Sequence, residues 1–490
     1  MAEGGELRMG TPAGRWVLAT TVLGSGMVMI DGTVVNVALE RIGDEFHSGF
    51  ADLQWTVNAY TLALASLILL GGSLGDHLGR RRIFVVGVVW FAVASLACGL
   101  APNIETLIAA RALQGVGGAL LTPGSLALIA ASFHGPDRGA AVGAWSGLGG
   151  IAGAVGPFLG GFLVEWTWRA VFLINIPLAV LVIVVALKHV PESRDVESAP
   201  GLDVAGTVLA ALGLGALTYS LTGLGFRGPE PILVASLAVG VLALVAFVVV
   251  ERRSRHPLVP PALFRNAVFS AANGATLLIY GALGVVFFLL VLQLQTVSGF
   301  SPLAAGTSLL PVTAIMLLFS ARAGALAGRI GPRLPMTIGP LVSACGLLLM
   351  LRIGADATWI GDVLPAVLVF GAGLTFTVSP LTATVLDAAP DRFAGSASGV
   401  NNAVARAAGL LSVAVIPGFA GIGGADYTEP GAFSAGFRIA MIISAGLLVL
   451  ASAVSLGFVR RPGATRRRDR VKIEECPHCG VCGPQVHPTL

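Results

Sequence analysis

The sequence predicts an all-α membrane protein whose fourteen transmembrane helices are grouped as six, two and six. Three observations carry this. Only 11% of the 490 residues are charged while 55% are hydrophobic, against roughly 25% charged in an average globular domain. Fourteen apolar runs are each long enough to cross about 30 Å of hydrocarbon. The first six runs and the last six share an internal repeat. A soluble core of this length needs a larger charged coat, so soluble, nucleic-acid-binding and disordered classes are excluded. Cys98 and Cys345 lie inside apolar runs and read as small core residues, while Cys476, Cys479 and Cys482 crowd the last fifteen residues, so no disulfide framework spans the chain. Residues 1–14 are polar and the first apolar run exceeds signal-peptide length, so no cleavable leader is expected.

The first six runs cover 16–38, 51–75, 82–101, 104–131, 139–164 and 168–187. A pair follows at 203–222 and 231–250, and the last six cover 268–293, 303–325, 334–353, 360–384, 396–420 and 435–457. An even number of spans puts both termini on one side. If that side is cytoplasmic, 23 of the 30 Lys and Arg fall in cytoplasmic segments, 5 outside and 2 within spans, which is the positive-inside bias. The expected divisions are a cytoplasmic tail at 1–15, a six-helix bundle at 16–188 and a cytoplasmic linker at 189–202. Two additional helices at 203–250, a linker at 251–267, a second bundle at 268–458 and a basic tail at 459–490 complete the chain.

The repeat is visible residue by residue. Gly72, Asp76, Gly79 and Arg81 follow the second run, and Gly324, Gly328, Gly331 and Arg333 stand 252 residues later. Pro136-Asp137-Arg138 recurs as Pro390-Asp391-Arg392, 254 residues on. The glycines permit a tight turn, and Asp76 can accept from neighbouring arginines or cap a helix. Gly72, Asp76, Gly79, Arg80 and Arg81 are therefore a candidate conformational latch, with a positive-inside anchor as the plainer reading.

Arg111 lies in the fourth run, where a charge costs at least ~2.5–3.5 kcal/mol on insertion scales and needs a partner or a wet cavity. Asp31 is the one acid well inside a span. Counted from the ends of their runs, both stand about seven residues from the outer face, so they can meet. The pair is either a structural tie between helices or a protonation switch, because a carboxylate in low dielectric responds strongly to a nearby cation. In the fifth run, Gly143, Gly156, Pro157, Gly160 and Gly161 place a helix-bending proline among small residues, which reads as a hinge. Glu165, Trp166, Trp168 and Arg169 then mark the outer interface, with an ion pair expected for Glu165. Gln293, Gln295, Asn401, Asn402 and Arg406 are polar groups at or within later spans, where interhelical hydrogen bonding is the usual role and pocket lining the alternative.

The tail carries Cys476, His478, Cys479 and Cys482, soft ligands sufficient for tetrahedral zinc, although a zinc knuckle needs a second pair held by its own fold. A disordered tail is the competing expectation. The basic stretch 460–472 suits anionic inner-leaflet lipid.

These motifs resemble the major facilitator superfamily and, within it, the fourteen-span drug:proton antiporters of the EmrB/QacA type. Residues 29–39 resemble that subfamily's first-span signature, the turn at 72–82 resembles the superfamily's cytoplasmic motif, 111–118 the proton-coupling motif of span four, and 143–161 the antiporter motif, with Ala152 where glycine is usual. Trp168, Arg169, Phe172, Asn175 and Pro177 add a match, as do Leu292-Gln293 and Gly299 to Pro302 leading to Leu310-Pro311. The resemblance implies a major facilitator fold: two pseudo-symmetric six-helix bundles around a central cavity. Asp31 and Arg111 would couple protons, and Asn36, Gln114, Gln293 and Asn401 are candidate cavity residues. It implies export of drugs, antibiotics or other amphipathic or cationic molecules in exchange for protons. The alternative is a dedicated exporter of one endogenous metabolite or self-made antibiotic. The protein would sit in the cytoplasmic (inner) membrane as a functional monomer without a cofactor or nucleic-acid partner, and would not be an enzyme. Span ten lacks the acid that some exporters of dications carry, and the cysteine tail lies outside the pattern.

Overall fold

A computed structural model describes residues 8–133, 135–194, 203–254, 257–390, 393–422 and 429–459. It is all-helical. The first bundle holds α1 (Pro12–Phe46), α2 (Phe50–Leu78), α3 (Arg80–Gly99), α4 (Ile104–Ser132), α5 (Gly135–Val164) and α6 (Ala170–His189). The middle pair is α7 (Val204–Arg227) and α8 (Pro231–Arg253). The second bundle holds α9 (Ala267–Leu292), α10 (Pro302–Ile330), α11 (Arg333–Leu349), α12 (Leu364–Asp387), α13 (Ala394–Phe419) and α14 (Pro430–Phe458). Among the described residues, thirteen helices are long and apolar enough to span a bilayer, and α5, 30 residues long, stands in sequence between two of them.

Local chemistry sets the ends. Thr11 caps α1 by accepting from the Gly14 N–H, Asn103 caps α4 from Thr106, and Ser301 caps α10 from Ala304. Gly79 (φ 112°) and Gly331 (φ 88°) make the two matching turns before α3 and α11, in a backbone region that side chains resist. Several runs are longer than their apolar stretch. α1 continues eight residues past the expected 38 and carries Glu40, Arg41, Asp44 and Glu45 on its last turns. α9 runs on through a π-turn at Gln293–Val297, and α12 begins from another at Trp359–Val363. The sixth run is a short turn, Ala170–Leu173, followed by Asn175–His189.

The two bundles repeat one packing scheme. α1 pairs with α5 as α9 does with α13, α2 with α4 as α10 with α12, and α3 with α6 as α11 with α14. Small residues allow these approaches. A Cβ on Gly71 would collide with the Ala119 carbonyl between α2 and α4, and one on Gly373 with the Ser343 amide between α12 and α11. The repeat reaches the side chains. Arg81 donates to the Val190 carbonyl at the end of α6 (3.0 Å), and Arg333 donates to the Leu456 carbonyl near the end of α14 (2.9 Å).

The ends of the described chain, residues 8 and 459, share one face, here the tail face, and the bundles are sealed on the opposite, far face. Among the described residues, both hydrogen bonds that cross between bundles lie in the far half: Gln54 Nε2 to the Val413 carbonyl (2.6 Å) and Gln295 Nε2 to the Val37 carbonyl (3.2 Å). Phe50 joins them edge-on to Phe288 and Phe433, with ring centroids 5.6 and 6.3 Å away. One apolar core therefore runs through both bundles there, from Val34 and Leu39 to Val285 and Leu292. α7 packs over the seam between α2 and α13, and α8 packs on α7.

Candidate functional site

α4 carries Arg111 into the first bundle two turns after its Asn103 cap. The side chain is only 1% exposed, and its guanidinium is engaged through Nη1 and Nε. Nη1 meets Asp31 Oδ2 at 2.5 Å and donates to Gln114 Oε1 at 2.7 Å, while Nε donates to the Thr56 carbonyl of α2 at 3.0 Å. The charge stacks 4.2 Å above the Tyr60 ring and 5.7 Å from that of Phe172, a desolvated cation–π arrangement.

Asp31 is completely buried and accepts from three donors on two helices, α4 and α6. Besides Arg111, Gln114 Nε2 donates at 2.7 Å and Asn175 Nδ2 at 3.2 Å. Gln114 and Asn175 both also reach Ser95 Oγ, at 3.2 and 3.0 Å, and Ser95 donates to the Phe172 carbonyl at 2.9 Å. Tyr60 closes the cluster by donating to the Val28 carbonyl at 3.3 Å. Five helices thus meet on one carboxylate. Burying an ion pair costs several kcal/mol per ion, and only such complete hydrogen bonding offsets it. A proton on Asp31 removes the anion that Arg111, Gln114 and Asn175 all address, so its protonation state is tied to the packing of α1, α4 and α6.

The sequence pairs Asp31 with Arg111, and the structure brings them together. Their depth differs from the count along the runs. α1 overshoots to Phe46, so Asp31 lies fifteen residues from its far end, whereas Arg111 is seven residues into α4. Gln114 stands in this cluster, fully buried, and not on an open cavity wall. Asn175, which the sequence offers only as part of a motif match, and Ser95 and Tyr60, which it does not single out, complete the site. The first two left a signal, each being the sole uncharged polar side chain in an otherwise apolar stretch of its run.

At the turn between α2 and α3, Asp76 pairs with Arg80 (2.8 Å) and Arg81 reaches Val190. Glu192, unread in the sequence, completes the turn. Its carboxylate accepts from the Arg81 and Arg82 amides at 3.0 and 3.1 Å, at the positive end of α3. Gly72 lies against Pro123 of α4.

In α5, Pro157 deprives the Gly153 carbonyl of its helical donor, and Thr33 Oγ1 of α1 supplies one at 3.2 Å. A Cβ on Gly156 would strike Thr33, and one on Gly160 would strike Val34. Gly161 faces Pro302 and Leu303 of the other bundle, while Gly143 stands clear of neighbours. Beyond it, Arg169 pairs with Glu45 (2.6 Å), not with Glu165, and Trp168 is buried against it while donating to Glu45 (2.6 Å). Trp166 is the exposed aromatic.

Of the remaining candidates, Gln293 is buried and donates to the Ile353 carbonyl at 3.0 Å, tying α9 to the end of α11. Asn401 bridges to Thr276 (2.8 Å) and Asn273 (3.3 Å) of α9. Asn36 is buried with its Oδ1 unpartnered. Cys476, His478, Cys479 and Cys482 lie outside the described residues. Among the described residues, no group of three His, Cys, Asp or Glu is placed to hold a metal.

Two six-helix bundles of membrane-spanning length with an ion pair buried among their helices are the architecture of a multi-pass membrane transporter. The chain belongs to the Major Facilitator Superfamily, whose family model matches residues 21–413. It is 35% identical over 404 residues to the multidrug resistance protein Stp of Mycobacterium tuberculosis, covering 81% of this chain and 74% of that one. It is 34% identical over 458 residues to the puromycin resistance protein pur8 of Streptomyces alboniger, covering 90% of each. A solved POT family transporter in complex with 5-aminolevulinic acid superposes with a TM-score of 0.68 over 93% of this chain and 97% of that one, at 13% identity. Transporters of this superfamily carry small molecules across a membrane and need no cofactor.

Proposed function

We propose that the protein is a proton-coupled antiporter that exports drugs, antibiotics or other amphipathic small molecules across the cytoplasmic membrane. Both termini are cytoplasmic and the monomer is the working unit. The observation that carries this reading is Asp31, the acid buried at mid-depth in the spans and held by Arg111, Gln114 and Asn175. The far-face seal supports a state open to the cytoplasm, in which substrate enters while Asp31 is ionised. Protonation of Asp31 from outside would then release Arg111 and loosen α4 from α1. Substrate and proton thereby bias the same two-state element in opposite senses. A membrane potential supplies about 2.3 kcal/mol per charge per 100 mV to such an exchange.

The latch at Gly72, Asp76, Gly79, Arg80 and Arg81 and the helix α5, with Gly156 and Gly160 against α1 and Pro157 and Gly161 against α10, are the parts that rock. The proposed divisions are bundles at 16–188 and 268–458, with the middle pair at 203–250 set against the seam. The name of the puromycin relative supports a narrower version, in which one antibiotic is the cargo. The test is efflux from everted vesicles under an imposed proton gradient. Asp31→Asn is expected to abolish gradient-driven accumulation while facilitated exchange persists. Coupled transport at the wild-type rate in that variant overturns the assignment.

A further inference from the structure

Arg406 is a second cation at mid-membrane, halfway along α13, and the proton cluster does not use it. It is half-buried, and among the described residues it has no ion pair and no hydrogen bond. Its place follows from the packing of α13 against α2. The Val413 carbonyl of α13 accepts from Gln54 of α2, and Gly399 of α13 faces Leu69 of α2. Arg406 lies seven residues from each of these contacts, so it falls on the same face of α13. The antiparallel register sets it level with residues 61 and 62 of α2, beside Tyr60. α13 packs on α2 of the first bundle and on α9 of its own, so this stretch of α13 stands at the seam between the bundles.

The lipid side of this seam is covered by α7. Gly225 meets Gly418 backbone to backbone, Gly215 faces Leu62, and Tyr219 lies 6.5 Å from Trp55. The α2 face that meets α13 carries a further unfilled donor. Asn58, one turn from Gln54, is 1% exposed and its Nδ2 has no partner. No acid answers these donors. α9, α10 and α13 contain none, and Asp31 is saturated by its own three donors. A buried donor without an acceptor is costly, and a guanidinium is shaped to receive a carboxylate through paired N–H groups.

We propose that Arg406, with Asn58 beside it on the facing helix, anchors an acidic group of the cargo, so that the exported molecules are amphipathic organic anions, carboxylates or ionised phenols. The inference rests on the antiporter reading and names its substrate class. Tyr60 links the two events. It carries Arg111 on its ring and adjoins residues 61 and 62 of α2, level with Arg406, so anion binding and proton release meet at one turn of α2. Coupling then needs no competition for one carboxylate, because cargo and proton occupy separate groups.

The test is equilibrium binding to the purified full-length protein, without any proton gradient. The probes are 2-naphthoate and anthracene-9-carboxylate beside their primary amides, and the cation ethidium. Binding of the acids at least tenfold tighter than of their neutral partners and of ethidium is expected. Arg406→Gln erases that preference, Arg406→Lys retains part of it, and Asn58→Ala weakens it several-fold. Asp31→Asn keeps the preference, which separates this inference from proton coupling. Acids that bind while a proton gradient fails to drive their export leave the anion site standing and overturn the antiporter reading. Amides or ethidium binding as tightly as the acids, no binding of any acid, or a preference that survives in Arg406→Gln overturns the anion site.

Discussion

The two bundles share a packing scheme but not an interior. Each turns on a glycine with positive φ, Gly79 or Gly331, and each sends an arginine, Arg81 or Arg333, to a carbonyl near the end of its own last helix. Yet the positions 252 to 254 residues after Asp31 are Leu283, Gly284 and Val285, and those after Arg111 are Val363, Leu364 and Pro365. Gly328 stands where the first bundle has Asp76. The first bundle is organised around a saturated ion pair, and the second around a dry core in which Val285, Val286 and Phe288 to Leu292 are all buried. Under the antiport proposed above, the difference makes the first bundle the one that responds to protons and the second the one that follows. The fold supplies two similar bodies, and charge assigns their roles.

The largest effect should come from breaking the ion pair. Arg111→Ala leaves Asp31 as an uncompensated buried charge, which costs about 3–5 kcal/mol, and thermal unfolding in detergent should show a strongly destabilised protein. Leu364→Ala at the corresponding place in the second bundle should cost much less, because no charge is orphaned there.

The next effect tests the shared geometry. Gly71→Ala and Gly373→Ala each push a methyl into backbone of a neighbouring helix, and overpacking of this kind costs about 1–3 kcal/mol. Similar losses in the two bundles confirm equivalent packing, while a large disparity breaks the parallel. Gly79→Ala and Gly331→Ala should each cost about 1–3 kcal/mol for the unfavourable φ. The first should be worse, because its methyl also meets the Glu192 carboxylate at 2.9 Å. The smallest effect is Asn175→Ala, which removes one of three donors to Asp31 and should cost about 0.5–1.5 kcal/mol in stability.

Much of the first bundle's logic is visible in the sequence, and the reason is scarcity. With so few charges in the spans, Asp31 and Arg111 are conspicuous, and the repeat at Gly72 and Gly324 fixes the register of both bundles. The partners of that pair are not legible in the same way. Whether Gln114 or Asn175 reaches Asp31 depends on helix rotation and on the overshoot of α1 to Phe46, neither of which hydropathy records. Glu192 is one of several charges in a polar linker until the fold lays it on the start of α3. Trp168 reads as an interfacial anchor by type, but the Glu45 carboxylate on the extended end of α1 draws it inward. Arg406 looks like interhelical glue until the absence of an acid opposite it becomes visible.

The central claim, that Asp31 alone ties cargo to protons, is tested most directly by cargo affinity measured across a series of pH values on purified protein. Linkage requires that a proton bound to Asp31 weaken cargo binding and that cargo weaken proton binding equally. For a cargo whose own ionisation is constant over the range, the wild type should lose affinity as pH falls through the range in which Asp31 protonates, and Asp31→Asn should bind with an affinity independent of pH over it. The same pH dependence persisting in Asp31→Asn would contradict the account.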